Sequence, residues 1–244
     1  MKRLFRKALL AIGTCLCASF VLAETLTLNS ALGAPLTNGD QLGFIDMVAA
    51  EAFRRSGLKL SLIRLPPERG LKNANAGIDD GELARVGGME KIYPNLLPVP
   101  EKMMDIDFIA FTNKDDVLVN GWDSLKEYSV GFIKGWKIYE KNVPEETLVL
   151  HANNAQQLFT LLEKGRVDAV LFTRLRGLKI ILKRQMTSSR VSGSALATKE
   201  MFMYLHKSHK DKIPRIASAL ADIKSEGLYS MQMMILNQKY NKAN

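Results

Sequence analysis

Two ten-residue stretches of the chain share one pattern of glycine, aspartate and arginine. The first, GIDDGELARV, carries Asp80 three residues after its leading glycine and leads to Arg85. The second, GRVDAVLFTR, carries Asp168 at the same offset and ends on Arg174. An arginine guanidinium binds a carboxylate or a phosphate through two parallel hydrogen bonds. The repeat therefore predicts two similar units, each of which ends on a residue able to bind an anion.

The two aspartates raise the question of paired catalytic carboxylates, but their positions favour a structural role. In each unit the glycine ends a helix-like segment in a left-handed turn, and the aspartate then opens a strand. Asp80 and Asp168 thus begin strands in separate units. Glu82 differs, because it alternates with Ala84 along its strand and so either faces a ligand or pairs with an arginine.

Further side chains are candidates for ligand binding, each with a plainer alternative. Arg69 lies in the first turns of a predicted helix, where the dipole disfavours a cation, so it is either paired with Glu82 or a ligand anion, or solvated. Trp136 follows a glycine at a helix start, where backbone N–H groups can hold an anion and the indole can stack on a ligand. Its alternative is packing on the protein surface. Thr173 and Arg174 are candidates because of the repeat, although RLRGLK is also typical of an exposed basic helix start.

The periodicity around these residues predicts an alternating α/β chain. Strands are expected at TLTLNSA, LKLSLIRL and DGELARV, with helices at DMVAAEAFRRSG and PPERGLKNANAG between them. This order is typical of a parallel sheet covered by helices. Asp46 is the expected N-cap of the first helix and Pro67 the first residue of the second. Ligands of such sheets bind beyond the carboxyl ends of the strands, where Arg85 and Thr173 lie.

After an irregular connection that contains three prolines, GGMEKIYPNLLPVPEKMM, the alternation starts again. Strands are expected at DFIAFTN, YSVGFI, TLVLHA, RVDAVLF and EMFMYLHK. Helices are expected within KGWKIYEKNV, NNAQQLFTLLEKG, RLRGLKIILKRQM, KIPRIASALADIKSEG and LYSMQMMILNQKY. Two lobes of similar build that face each other would place the two sets of strand ends on opposite walls of one cleft.

The first 23 residues predict a secretory signal peptide. MKRLFRK is basic, ALLAIGTCLCASFVLA is apolar, and Val21 and Ala23 stand at the −3 and −1 positions before Glu24. The apolar run is short for a membrane anchor and no basic flank follows it, so cleavage is favoured and the mature chain is not expected to span a membrane. Loss of the four basic residues lowers the formal net charge from +9 to +5. That charge suits a protein that meets anionic solutes and does not argue for nucleic acid.

Composition excludes several kinds of chemistry. Both cysteines lie in the predicted signal peptide, so the mature chain would have no disulfide, no cysteine-bound metal and no cysteine nucleophile. His206 and His209 lie in a charged turn, HKSHKDK, that does not favour a metal site. The G-x-S-x-G motif of a hydrolase nucleophile is absent from the sequence. We therefore expect no cofactor, no metal and no catalytic residue.

Three segments together carry a family resemblance. GFIDMVAAEAFRRSG, LLEKGRVDAVLF and IPRIASALADIKSEGLYSMQMMILNQKY resemble the bacterial extracellular solute-binding proteins of family 3, the periplasmic receptors that serve ABC importers of polar amino acids. The resemblance covers essentially the whole mature chain. It implies an α/β fold of the type II periplasmic binding proteins, with two Rossmann-like lobes joined by two hinge strands. The first lobe would comprise residues 24–113 and 196–244, and the second residues 114–195.

The chain departs from the amino-acid receptors of this family at two places. Where they carry an aspartate that pairs with the α-ammonium group of the ligand, this chain has Thr173. Their Thr-x-x-Arg segment, whose arginine binds the α-carboxylate, is replaced by ELARVGGMEKIYPNLLPV, so Arg85 matches that arginine only approximately. Both departures argue against a standard L-amino acid as the ligand.

The sequence therefore predicts a monomeric, non-enzymatic periplasmic protein that binds a small polar solute, anionic or amino-acid-like, for an ABC permease. The candidate ligand-binding residues are Arg85, Arg69, Glu82, Trp136, Thr173 and Arg174. Two alternatives remain open. One is an exported, dehydratase-like enzyme on the same scaffold, because fold alone does not fix function. The other is a partner that presents bound ligand to a membrane sensor.

Overall fold

The computed structural model describes residues 23–38 and 42–241. Within them, the strands are β1 Thr25–Ser30, β2 Lys59–Arg64, β3 Gly81–Val86, β4 Leu96–Pro98, β5 Met104–Thr112, β6 Ser129–Ile133, β7 Leu148–Ala152, β8 Ala169–Thr173 and β9 Arg190–His206. The helices are α1 Phe44–Arg55, α2 Pro67–Asn75, α3 Lys137–Asn142, α4 Ala155–Glu163, α5 Arg174–Arg184, α6 Ile213–Ser225 and α7 Leu228–Asn241. The predicted signal peptide lies outside the described residues, apart from its last residue.

The strands form one mixed sheet in the order β2-β1-β3-β9-β5-β8-β6-β7, with β4 paired to β9. Two units of identical topology make up its halves: the first unit is β1-α1-β2-α2-β3, and the second unit is β6-α3-β7-α4-β8. In each unit the three strands are parallel, and the third strand pairs with an antiparallel neighbour, β9 in the first and β5 in the second. The predicted α/β fold with two similar halves is confirmed.

In each unit an aspartate joins the third strand to the first through two hydrogen bonds, and we call this pair of bonds the aspartate bracket. In the first unit, the Asp80 backbone N–H donates to the Thr27 carbonyl at 2.8 Å, and Asp80 Oδ2 accepts from the Thr27 N–H at 2.7 Å. In the second, Asp168 makes the same two bonds to Ser129, both at 2.8 Å. The preceding glycines, Gly77 and Gly165, have φ of 71° and 61°, which favours glycine over other residues. The turn role predicted for the two aspartates is confirmed.

Two long antiparallel strands, β5 and β9, run through both halves of the molecule. They pair from Met104 opposite Met201 to Phe108 opposite Ala197, and again from Ala110 opposite Ser192, with a register shift between. The sequence predicted only the last part of β9, because RVSGSALATK is rich in small and polar residues. The structure corrects this: β9 is a 17-residue strand.

Separate hydrophobic cores fill the two halves, and β5 passes between them. Its residues up to Ile106 pack in the first core with α1 and α6, whereas Ile109 and Phe111 pack in the second with α4, α5 and β8. Helix α7 touches both cores, because Tyr229 packs on the first and Tyr240 is buried in the second. The lobe boundaries at 113 and 196 remain our proposal.

Two local predictions need correction. Asp46 is not the N-cap of α1; Gly43 occupies that position, and the Asp46 carboxylate accepts from the N–H groups of Gly43 at 3.0 Å and Asn38 at 2.9 Å. The connection expected to be irregular contains β4 and a short 3₁₀ turn over Met89–Lys91. Within residues 23–38 and 42–241, no helix has the length and apolar character needed to cross a membrane.

Candidate functional site

A cleft of about 760 Å³ lies between the two halves of the molecule. Its lining comes from three sources: the first unit and its flanks, the loop and helix starts of the second unit, and the crossing strands β5 and β9. Side chains that line it include Leu32, Arg85, Ile106, Phe108, Trp136, Thr173, Arg176 and Phe202. The structure thus brings Arg85, Trp136 and Thr173, three of the predicted site residues, to one cleft.

Arg85 lies at the cleft wall near the end of β3 and is held by two groups of its own lobe. Its Nε is 3.0 Å from Glu82 Oε1, and its Nη2 donates to the Pro67 carbonyl at 3.0 Å. The side chain of Glu82 is fully buried and is not part of the cleft lining. Of the two roles open to Glu82, the structure therefore shows the pairing with an arginine.

The buried surroundings of Glu82 weaken its charge. Asn29 and Asp79 are buried beside it, and a Cβ at Gly70 would lie only 2.8 Å from Glu82 Oε2. Burial raises the pKa of Glu82 to about 7, although the charge and hydrogen bond of Arg85 oppose the shift. A carboxyl that titrates near neutrality thus controls how much of the Arg85 charge is compensated.

Trp136 lines the cleft through its ring. The indole stacks on Tyr139 with centroids 5.7 Å apart and on Phe172 at 5.0 Å, so it belongs to a packed aromatic cluster. The two N–H groups expected to hold an anion are already bonded, that of Gly135 to Glu140 Oε1 at 2.7 Å and that of Trp136 to the Ile133 carbonyl at 3.2 Å. A ligand role of Trp136 therefore depends on its ring and not on the backbone.

Thr173 ends β8 at the cleft. Its side chain is buried, and its hydroxyl has no hydrogen-bond partner among the described residues. The residue stands at the N-cap position of α5, yet its hydroxyl does not cap the helix. An uncommitted hydroxyl at this position is available to a ligand, since buried polar groups are normally bonded.

Arg174 and Arg69 lie elsewhere. Arg174 does not line the cleft; it lines a neighbouring cavity of about 390 Å³, and its Nε is 3.0 Å from Asp107 Oδ2. Arg69 is exposed on α2 and does not line the cleft. The partner of Glu82 is Arg85, not Arg69.

Arg176, which sequence reasoning missed, is the arginine of the second lobe that reaches the cleft. Its guanidinium carbon lies 5.0 Å from the Phe172 ring centroid and 6.0 Å from that of Trp136. No carboxylate among the described residues pairs with it. Burial, followed by the charge of Arg64, lowers its pKa. Helix α5 can lie this close to the sheet because a side chain at Gly177 would start 2.2 Å from the Phe111 ring.

A helical wheel would have provided part of the missing signal, by showing that Arg174 and Arg176 are alternatives. Residues two apart on a helix differ by about 200°, so the side chains of Arg174 and Arg176 project in roughly opposite directions. Only one of them can face the cleft. The repeat between the two units led us to predict Arg174, whereas Arg176 is the one that lines the cleft.

Comparisons with known proteins relate this chain to others chiefly by its fold. No family model matches the chain. A curated relative, an uncharacterized protein of Shewanella oneidensis, is 23% identical over 192 residues, which cover 75% of this chain and 72% of the relative.

Similar solved structures share the fold at low sequence identity. An ancestral arginine-binding protein bound to glutamine has a TM-score of 0.69 and 18% identity, with 90% of this chain and 98% of that chain covered. A histidine kinase sensor domain with similarity to periplasmic binding proteins has a TM-score of 0.68 and 13% identity, covering 89% and 96%. The VFT2 domain of Bordetella pertussis BvgS has a TM-score of 0.66 and 18% identity, covering 86% and 92%. The chain therefore has the two-lobed fold of the type II periplasmic binding proteins.

Proposed function

We propose that this protein is a periplasmic solute-binding protein that captures a small anionic solute between its lobes. The observation that carries the proposal is Arg176, a half-buried cation at the cleft without a carboxylate partner among the described residues. A buried charge that lacks a counter-ion is unfavourable. A ligand that brings negative charge into the cleft would remove this cost.

The charges of the cleft lining support an anion over a cation. Arg85, Lys137, Lys141, Arg176 and Lys199 line it. The carboxylate in the same lining, Glu200, is 3.0 Å from Lys102 Nζ and half exposed. The lining thus carries an excess of positive charge, which favours anionic solutes during both encounter and binding.

The proposed ligand differs in kind from those of the solved neighbours. Ancestral arginine-binding proteins hold arginine in one structure and glutamine in another, which supports a small polar ligand of similar size. In this chain Thr173 takes the position where the family's amino-acid receptors have an aspartate for the α-ammonium group. We therefore infer a carboxylate-bearing solute without a recognised ammonium group, oriented by Arg85, Arg176 and the hydroxyl of Thr173.

A matched ligand screen tests the proposal. Thermal-shift measurements across small mono- and dicarboxylates, small phosphates, neutral amino acids and arginine should show stabilisation by anions, since a ligand of the native state raises the melting temperature. Calorimetric titration of the best compound should give one site. Stabilisation by arginine and by no anion would contradict the proposal.

Closure supplies a second measurement. Small-angle scattering should show a smaller radius of gyration at saturation, as hinge closure around a ligand predicts. The control is a compound from the screen that does not bind. An unchanged radius at saturation would argue against capture between moving lobes.

Export and partner belong to the same proposal. We expect cleavage before Glu24 and an ABC importer as the partner of the mature protein. N-terminal sequencing of the periplasmic fraction checks the cleavage site, and co-purification with the permease checks the partner.

The likeness to sensor domains favours a second candidate function, in which the liganded protein contacts a membrane sensor. Both the histidine kinase sensor domain and the BvgS domain share this fold. Solute uptake in a deletion strain separates the two roles, because loss of uptake supports transport and unchanged uptake supports sensing.

A further inference from the structure

A second cavity, which we call the basic cavity, adjoins the cleft and has a volume of about 460 Å³. It shares Ala31, Pro67, Trp136 and Arg176 with the cleft lining. Its cationic side chains are Arg64 at the end of β2 and Arg176, Lys179 and Lys183 on α5. Among the described residues, no acidic side chain lines it.

Two of these cations approach each other from opposite lobes. Arg64 Nη2 lies 3.3 Å and Arg176 Nη2 lies 3.6 Å from the point where a Cβ would stand at Gly33. The two nitrogens are therefore less than 7 Å apart. Like charges at this separation repel, so the lobes carry an electrostatic cost in this arrangement unless an anion lies between them.

The three cations that α5 contributes form a row on one face of the helix. Arg176, Lys179 and Lys183 are spaced three and four residues apart, which places their side chains next to one another. Burial lowers the pKa of Lys179, and the nearby charges of Lys183 and Lys239 lower it further. The row therefore concentrates positive charge that the protein itself leaves uncompensated.

The other cations of the same helix provide an internal comparison. Arg174 pairs with Asp107 at 3.0 Å, and Arg184 lies 3.5 Å from Glu163 Oε2. In contrast, the side chains of Arg64 and of the three row cations make no ion pair or hydrogen bond with any residue in the described part of the chain. The two other cations of α5 thus have carboxylate partners, whereas the cations of the basic cavity have none among the described residues.

We propose that the basic cavity is a binding site for an oxyanion that carries two or more negative charges and bridges the two lobes. Guanidinium and ammonium groups that converge on one space provide the charge-assisted donors that such an anion requires. The anion can be a free ion, such as phosphate, or the distal charged group of a solute whose other end lies in the cleft. The first case is independent of the proposed function, and the second rests on it.

Titration with inorganic phosphate tests the site without knowledge of the cleft ligand. Calorimetry or thermal shift at low ionic strength should show binding of phosphate to the wild type. The double variant Lys179→Gln/Lys183→Gln should weaken that binding at least tenfold. The control Lys59→Gln removes a charge at the opposite end of the strand that carries Arg64, and it should change binding less than twofold.

Stability without added anion checks that the variant folds. Removing two mutually repelling cations should leave the melting temperature unchanged or raise it, and circular dichroism should be unchanged. If the double variant is nevertheless unfolded, Arg64→Gln replaces it, since Arg64 is exposed at a strand end. If phosphate binding falls equally in Lys59→Gln and in the double variant, the attraction is diffuse and the proposal is wrong.

The best solute from the ligand screen distinguishes the two sources of the anion. If phosphate and solute bind together and the double variant loses only phosphate, the site takes a free ion. If phosphate competes with the solute and the double variant weakens both, the site takes the distal group of the solute. If the wild type binds no phosphate at millimolar concentration and the double variant binds the solute like the wild type, the basic cavity is not a site, whereas the proposed function stands.

Discussion

The first and second units place their cleft cations differently, although their topology and their aspartate brackets are the same. In the first, β3 carries Arg85 near its end, and the counter-ion Glu82 lies three residues earlier on the same strand. In the second, β8 passes directly into α5, and the arginine that reaches the cleft comes from the first turn of that helix. The comparison shows that the two units repeat the same backbone topology but not the position and pairing of their cleft arginines. One wall of the cleft carries a compensated arginine, and the other carries an uncompensated one.

The largest effect that this comparison predicts is the loss of the uncompensated arginine. Arg176→Ala should weaken binding of the best anionic solute about a hundredfold, because removing one partner of a desolvated charge pair costs about 2–5 kcal/mol. Arg174→Ala is the matched control, since Arg174 pairs with Asp107 outside the cleft and should change affinity little. Calorimetric titration measures both variants. Equal affinities of the two variants would contradict the assignment of Arg176 to the site.

Loss of the aspartate should destabilise both units by a similar amount. Asp80→Ala and Asp168→Ala each leave one strand N–H, of Thr27 or Ser129, without its carboxylate acceptor, and each also removes a contact between the aspartate and a basic side chain. Each variant should lower the free energy of unfolding by about 2 kcal/mol, within the range for an unsatisfied buried donor. Urea denaturation measures both. A cost below about 0.5 kcal/mol in one variant and the full cost in the other would show that the brackets are not equivalent.

The compensated arginine should matter less for binding than the uncompensated one. Arg85→Ala should weaken solute binding about tenfold, because Glu82 and the Pro67 carbonyl already occupy two of its nitrogens and part of its charge. Arg85→Lys keeps the charge but not the planar fork, and should recover only part of the loss. Titration of both variants, with circular dichroism to confirm folding, checks the order. A larger loss for Arg85→Ala than for Arg176→Ala would reverse the comparison.

The smallest effect concerns the pH dependence of stability. The pKa of Glu82 is about 7 in the folded protein, above the value of 4.5 for an unperturbed glutamate. Between these values the folded state holds more protons than the unfolded state, so the free energy of unfolding falls as pH rises. From pH 5.5 to 6.5 the contribution of Glu82 to this fall should be about 1 kcal/mol.

Glu82→Gln cannot titrate and should remove this contribution. Urea denaturation at several pH values measures both proteins. If the free energy of unfolding depends on pH in the same way in the wild type and in the variant, the burial of Glu82 does not have the role given to it.

The carboxyl of Asp168 serves as a contrast. Burial alone would raise its pKa, but the hydrogen bonds from Lys114 and Ser129 outweigh burial and hold the pKa at about 2. Its contribution to stability is therefore present at neutral pH and is lost only as the pH falls toward 2.

Local rules in the sequence predicted the fold well. The helix-ending glycines, the strand-opening aspartates and the alternation of apolar residues each act within a few positions, so the chain displays them directly. The length of β9 escaped prediction because its first half is paired through backbone hydrogen bonds to β5 and contains Gly193, which has a positive φ. Asp46 was misplaced by three residues because the helix starts earlier, at a glycine cap.

The candidate site was harder to predict, because it depends on directions and not on spacing alone. Arg85, Trp136 and Thr173 line the cleft, since strand ends and the loop before a helix are recognisable in the sequence. Arg176 depends on which face of α5 points to the cleft, and that is decided by the packing of Gly177 against Phe111. The pairing of Arg85 with Glu82 depends on a shift in register between β3 and β9 that the sequence does not reveal.

Helix α7 makes a third connection between the halves, besides β5 and β9. Because Tyr229 packs on the first core and Tyr240 is buried in the second, a helix about 21 Å long bridges the two halves. If the two halves separate as proposed for ligand entry, one of these two tyrosines would have to leave its core or the helix would have to bend. We therefore expect α7 to limit how far the cleft opens.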